Sequence, residues 1–224
     1  RRPIMDEVDS NNELAYMKSG QVLIAMLNPL IRRADCEVYA EAGIDAFGME
    51  LMPRITRAQS MDALSSQSTI SGYKAVLMGA DTLPRIFPML VTAAGTLQPA
   101  RVLVIGVGVA GLQALGTAKR LGAVTYGYDT RAVVKEQVES LGGEFLVLDF
   151  EESGEGAGGY AQVMSAAVIE AEMALFAQQG SEVDIIITTA LIPGKKAPVL
   201  ITEEMVEILK SGSVVVDLAA EQGG

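Results

Sequence analysis

The apolar residues of this chain gather in short unbroken runs, and segments of helical period lie between them. Residues 102–105 (VLVI), 183–188 (VDIIIT) and 213–218 (SVVVDL) are the clearest runs. Such runs, with little polar alternation, mark strands covered on both faces, as in parallel sheets. A further apolar run ends at Asp129, and another covers 144–148. The intervening stretches 109–121, 131–141, 161–179 and 203–210 carry apolar residues three and four apart. Gly122 and Gly142-Gly143 stand where the first two of these helices should stop. Strand and helix alternate throughout, so residues 101–224 predict a doubly wound parallel sheet of order 3-2-1-4-5.

The same alternation runs through the beginning of the chain in weaker form. Residues 1–10 are polar and expected to be extended. Residues 11–18 predict a short helix, capped by Ser10 or Asn11 and followed by Gly20. Residues 21–27 read as a buried strand broken at Asn28-Pro29. Residues 29–42 have helical period closed by Gly43, and 46–51 read as another strand. Residues 1–52 thus resemble the remainder of a truncated α/β domain. Residues 53–73, PRITRAQSMDALSSQSTISGY, depart from the pattern. They hold Arg54, Arg57, Gln59, Asp62 and a run of serines, and their second half predicts a helix to about Met78. A polar loop after a strand end is where α/β folds place ligands. A solvated loop with capping serines is the competing reading. Pro84, Pro88, Gly95 and Pro99 mark 84–100 as a connector. The expected architecture is α/β with two Rossmann-like domains. A partial N-terminal domain (1–83) carries the polar loop, and the second domain (101–224) follows the connector. The chain starts Arg1-Arg2-Pro3 and stops on Gly223-Gly224, so both ends look cut and a longer protein is expected.

Candidate chemistry centres on Gly106, Gly108 and Gly111, in G-x-G-x-x-G spacing between a strand and a helix. This is the dinucleotide-binding fingerprint in its proper context. The first glycine allows the tight turn, the second lets backbone approach a pyrophosphate, and the third lets helix pack on sheet. Val109 and Ala110 complete the turn, whose N–H groups at the positive helix end suit a pyrophosphate. Asp129 lies 23 residues after Gly106 at the tip of the next strand, where it can accept ribose hydroxyls.

Composition narrows the alternatives. A net charge of −11 argues against nucleic acid or an anionic membrane surface as partner. The chain has no histidine, hence no His-based metal site and no His acid or base, and no metal is expected. One cysteine, Cys36, permits no internal disulfide and reads as a small buried residue. No run reaches 18 uninterrupted apolar residues, and no signal peptide is visible. Residues 149–160, DFEESGEGAGGY, are rich in glycine and acid and are expected to form a mobile loop.

Four segments together carry a family resemblance: PRITRAQSMDALSS, TAAGTLQPARVLVIGVGVAGL, the stretch containing GGYAQVMS and EAEMALFA, and TTALIPGKKAPVLIT through VVVDLAAEQGG. The chain resembles the NAD(H)-binding domain of proton-translocating NAD(P) transhydrogenases over nearly its whole length. The resemblance implies that Arg54, Gln59, Asp62 and Ser65 hold the nicotinamide end of NAD(H). A carboxamide needs an acceptor and a donor, which Asp62 and Gln59 supply, and Arg54 can reach a pyrophosphate or the carboxamide oxygen. It implies that Asp129, with Thr130 and Arg131, holds the adenosine ribose. Tyr160 would close over bound nucleotide on its mobile loop, and Ala190 and Leu191 would meet the nicotinamide half. NADP(H) would sit on a partner domain, with a membrane domain coupling hydride transfer to proton translocation. A homodimer peripheral to a membrane is implied, on the bacterial cytoplasmic or mitochondrial matrix side. Alanine dehydrogenase is the nearest rival. It shares the architecture but uses a histidine after the strand matching 21–27, where this chain reads LNPL. Lys18 is the nearby candidate for a base, and more simply a helix-end charge. A non-catalytic nucleotide-binding module is the third reading.

Overall fold

The computed structural model describes residues 2–3, 5–6, 11–148, 164–191 and 194–224. By its contacts the chain forms two units, Arg1–Ser66 and Gln67–Gly224.

In the first unit, β1 (Met5–Asp6) and β2 (Asn11–Asn12) pair antiparallel. The helix expected over 11–18 contracts to a 3-10 turn, Glu13–Tyr16, capped by Asn12, whose side chain accepts the Leu14 N–H at 3.0 Å. β3 (Val22–Ala25) and β4 (Asp45–Gly48) pair parallel through α1 (Arg33–Glu41). This is a single βαβ crossover, and Tyr39, Leu27 and Ile44 form its core. The strand expected to be buried over 21–27 is not. Val22 and Ile24 are 57% and 64% exposed. The two share one face of β3, whereas Leu23 and Ala25 on the other face pack on that core, so the exposed face meets no second layer among the described residues of this unit. The strand expected over 46–51 ends at Gly48 and continues as a 3-10 turn, Met49–Leu51. Glu50 on that turn accepts the backbone N–H groups of Leu27 and Asn28. It thereby holds the chain where Asn28 adopts a positive φ of 57°.

The unit division falls within α2 (Ala63–Thr82). Residues 84–100 then pack with the second unit. Leu83, Phe87 and Ala100 join its core, and β5 (Leu90–Thr92) and β6 (Gly95–Leu97) make a small antiparallel hairpin.

The second unit carries the five-stranded sheet. Its strands are β7 (Arg101–Ile105), β8 (Val124–Tyr128), β9 (Glu144–Phe145), β10 (Ile185–Thr188) and β11 (Val214–Asp217). Their spatial order is β11-β10-β7-β8-β9 and every pairing is parallel, which is the expected 3-2-1-4-5 sheet. α3 (Val109–Arg120), α4 (Lys135–Ser140), α5 (Ala166–Gly180) and α6 (Glu203–Ile208) are the crossovers. The pleat sorts the central strands onto two faces. Val102, Val104, Ile185 and Ile187 point to the face of α2 and α3, packing on Val76, Ala114, Leu115 and Ala118. Leu103, Ile105 and Ile186 point to the face of α5 and α6, packing on Phe176 and Met205. Each such buried Val, Leu or Ile contributes about 1.5–3 kcal/mol. This is why β7 and β10 read as continuous apolar runs.

Below the sheet, at the strand starts, Asp184 gathers hydrogen-bond donors from three segments, two of them charged. Its carboxylate accepts the Arg101 N–H at 2.7 Å, Arg85 Nη1 at 3.1 Å and Lys210 Nζ at 3.5 Å. Arg85 also donates to the Gln98 carbonyl at 2.6 Å. The stretch leading into β7 is therefore tied to the sheet at both of its ends.

Candidate functional site

The strand ends of β7, β8 and β10 converge on the fingerprint turn. Gly106 turns the chain at φ 89°, a conformation that side chains rarely adopt. An added Cβ there would also meet the Thr189 hydroxyl and the Ala190 nitrogen. At Gly111, an added Cβ would strike the Gly106 carbonyl, so that residue must be glycine for α3 to sit against the turn. Gly108 is the N-cap of α3, and an added Cβ there would have Arg131 Nη2, at 3.9 Å, as its near neighbour. Backbone at Gly108 is thus open to close approach, while the N–H groups of the first turn, from Val109 and Ala110 onward, lie at the positive end of α3. This cradle suits a pyrophosphate.

Asp129, 9% exposed, follows β8 and closes the cradle. Its Oδ2 accepts the Val107 N–H at 2.8 Å, so the carboxylate is anchored to the turn itself. Arg131 folds back onto it, with Nε 2.8 Å from Oδ1, Nη2 2.8 Å from Oδ2 and its own backbone N–H 2.9 Å from Oδ1. Beside them the Thr130 hydroxyl is buried without a hydrogen-bond partner among the described residues. A buried orphan hydroxyl carries a desolvation cost of about 1–3 kcal/mol, which a polar ligand group could relieve.

On the other side of the turn stands β10. Thr189 donates its hydroxyl to the Gly106 carbonyl at 2.6 Å. Ala190 lies directly against Gly106, and Leu191 is exposed beyond it. Thr188 donates to Asp217 Oδ1 at 2.7 Å, and the same oxygen accepts the Ala219 N–H at 2.7 Å. Thr188, Thr189 and Asp217 were not among the residues that the sequence singled out. The available signal was their position, since polar residues that end apolar parallel strands line the ligand edge of such sheets.

A further pair lies behind Asp129. Tyr128 donates its hydroxyl to Glu172 Oε1 at 2.7 Å, both side chains being buried. The Tyr128 ring meets Phe176 edge-on at 5.1 Å. Burial, first, holds the Glu172 carboxyl above its ordinary range against the opposing effect of the Tyr128 hydrogen bond. Burial also pushes the Tyr128 phenol far up, with Glu172 adding to it.

The polar loop lies in the first unit. It forms a 3-10 segment, Thr56–Met61, in which Ala58 is buried and Gln59 exposed. Asp62 caps α2: its Oδ1 accepts the Ser65 N–H at 2.9 Å and its Oδ2 the Ser65 hydroxyl at 2.6 Å. The Ser65 hydroxyl, foremost, holds the Asp62 carboxyl below its ordinary range, and the charge of Arg54 adds to this. Arg54, Asp62 and Ser65 are therefore neighbours, arranged around a helix start. Tyr160 lies outside the described residues. Among those residues no cluster could hold a metal, and no helix is long and apolar enough to cross a membrane.

Comparison with known proteins agrees with this architecture. The family description "Alanine dehydrogenase/PNT, C-terminal domain" matches residues 75–224, and its N-terminal counterpart matches residues 4–71. An NAD(P) transhydrogenase alpha-subunit chain of Rhodospirillum rubrum is 55% identical over 226 aligned positions, covering 100% of this chain and 59% of that protein. A crystal structure of transhydrogenase from Sinorhizobium meliloti superposes with a TM-score of 0.81 at 47% identity, over 95% of this chain and 56% of the other. An L-alanine dehydrogenase structure superposes with a TM-score of 0.71 at 26% identity, over 95% of this chain and 54% of the other. The chain thus spans little more than half the length of these relatives. A doubly wound sheet with its glycine turn and strand-end acid, matched on both domain descriptions, makes this chain a member of the alanine dehydrogenase/PNT family.

Proposed function

We propose that this chain is the NAD(H)-binding part of a proton-translocating NAD(P) transhydrogenase. The observation that carries the reading is the fingerprint cradle with Asp129 hydrogen-bonded to its backbone, together with 55% identity to a transhydrogenase alpha subunit. In this reading the first turn of α3, Gly108 to Gly111, holds the pyrophosphate. Asp129, Thr130 and Arg131 hold the adenosine ribose, and Ala190 and Leu191 bound the nicotinamide half. Arg54, Gln59, Asp62 and Ser65 orient the carboxamide, and Tyr160 closes over the nucleotide. The bound nicotinamide supplies a hydride to NADP⁺ on a partner domain, and a membrane domain couples the transfer to proton movement. The residues of this chain need only hold one ring in place and exclude water. No general base is required, which suits a chain without histidine. A homodimer, placed on the cytoplasmic or matrix side of its membrane, completes the proposal.

Alanine dehydrogenase chemistry is the second reading, favoured by the shared fold at a TM-score of 0.71. Nucleotide titration followed by an alanine assay separates the two. The transhydrogenase reading expects saturable NADH binding, detected by nucleotide fluorescence, and no NADH production from L-alanine and NAD⁺. Alanine-dependent NADH formation would overturn it, and absence of any NADH binding would overturn both.

A further inference from the structure

We infer that Glu172 is a positioning residue for the nucleotide site, acting from α5 through the Tyr128 hydroxyl on the fingerprint turn. The inference rests on the NAD(H)-binding reading and goes beyond it, because the pair stands behind the cradle rather than in it. Helical spacing places Val168, Glu172, Phe176 and Gly180 on the buried stripe of α5. A carboxyl in such a stripe must find a donor, since burying an unpaired polar group is costly. Tyr128 supplies that donor at 2.7 Å. An apolar pair of similar volume would serve the core at least as well. What the hydrogen bond adds is direction. It fixes the phenol at its far end, while Phe176 meets the ring edge-on at 5.1 Å.

Tyr128 is where that direction reaches the site. Its side chain joins the core on the α5 face, and its backbone carbonyl accepts the Gly106 N–H at 2.9 Å. The next residue, Asp129, accepts the Val107 N–H at 2.8 Å. Two successive residues at the end of β8 thus hold two successive residues of the fingerprint turn. On its other side Gly106 is tied to Thr189, whose hydroxyl donates to the Gly106 carbonyl. A tilt of Tyr128 therefore moves the turn and the Asp129 carboxylate together. Fixing the phenol on α5 suppresses that tilt, and so holds the cradle in shape before a nucleotide arrives.

Fluorescence titration with NADH and residue-resolved amide hydrogen exchange of this chain provide the test. Glu172→Leu removes the acceptor and leaves the Tyr128 hydroxyl unpaired. It should weaken NADH binding about three- to tenfold, the scale of one buried hydrogen bond. It should also speed exchange of the Gly106 and Val107 amides relative to those of Val102 and Val104. Glu172→Gln keeps an acceptor in place and should rescue both readouts. Tyr128→Phe should act as Glu172→Leu does. The double variant Tyr128→Phe/Glu172→Leu should lose no more than either alone, since one bond is removed. Should Glu172→Leu fail to fold by circular dichroism, Tyr128→Phe supplies the comparison. A lowered urea midpoint with NADH affinity and turn exchange both unchanged would make the pair a core contact alone and overturn the inference. So would additive losses in the double variant, or a Glu172→Gln that rescues neither readout. A parent that binds no NADH would overturn the NAD(H) reading, while amide exchange at the turn would still decide the role of Glu172.

Discussion

Asp129 joins the two ends of the site, because one carboxylate holds the fingerprint backbone through Val107 and faces the place expected for the ribose. Loss of a charged hydrogen bond costs about 1.5–3 kcal/mol. Asp129→Ala should therefore weaken NADH binding roughly ten- to hundredfold by fluorescence titration, and an unchanged affinity would remove Asp129 from the site. Asp62 presents a different case, since its capping of α2 and its proposed carboxamide contact are superimposed. Asparagine caps about as well as aspartate, whereas alanine costs about 0.5–2 kcal/mol. Asp62→Asn should leave stability nearly unchanged while slowing hydride transfer more than it weakens binding. A transfer rate at the parent value would mean that Asp62 serves the helix alone. Glu172 carries a pH signature. Burial raises its folded-state pKa, so the unfolded chain ionises first. Stability then falls as pH rises from the ordinary carboxylate value of 4.5 toward the folded one. Glu172→Gln still accepts the Tyr128 hydroxyl but cannot ionise. Its stability relative to the parent should be greater at pH 8 than at pH 4 by urea denaturation. Equal differences at the two pH values would show that Glu172 is not buried as described.

At the scale of elements, α2 and α3 approach so closely that Gly72 lies against the Ala110 backbone, and an added Cβ would overlap the Ala110 carbonyl. Gly72→Ala should lower stability by about 1–3 kcal/mol, as forced overpacking does, and should disturb nucleotide binding through the adjacent turn. A parent-like urea midpoint would contradict this packing. The parallel sheet was legible because strands buried on both faces leave unbroken apolar runs, as at 102–105 and 185–187. The fingerprint was legible because backbone geometry demands glycine at positions such as Gly106 and Gly111. Boundaries were less so. β9 shrank to Glu144–Phe145 and the helix over 11–18 to one 3-10 turn, since edge elements gain little from packing. The exposure of Val22 and Ile24 could not be read at all, because an apolar strand looks the same whether or not a second layer covers it. Thr188, Thr189 and Asp217 were missed for a related reason. Threonine at a strand end is ordinary, and only the register β10–β11 and the turn at Gly106 reveal what its hydroxyl bonds.

For the whole molecule, the question is whether the cradle serves a hydride relay or a soluble-substrate reaction. Among the described residues, one glycine fingerprint lies directly between a strand and a helix, at 106–111. Hydride exchange between two nicotinamides needs both rings held with reacting atoms about 3–3.5 Å apart. One nucleotide site supplies half of that geometry, so the proposed activity is a property of a complex. Stopped-flow absorbance with an NADP(H)-binding partner domain tests this directly, with a version of the chain extended to the length of its relatives. Rapid hydride exchange between NADH and an NADP⁺ analogue is expected when both proteins are present, with negligible exchange by either alone and no membrane requirement. No stimulation by the partner, or exchange by this chain unaided, would contradict the transhydrogenase assignment.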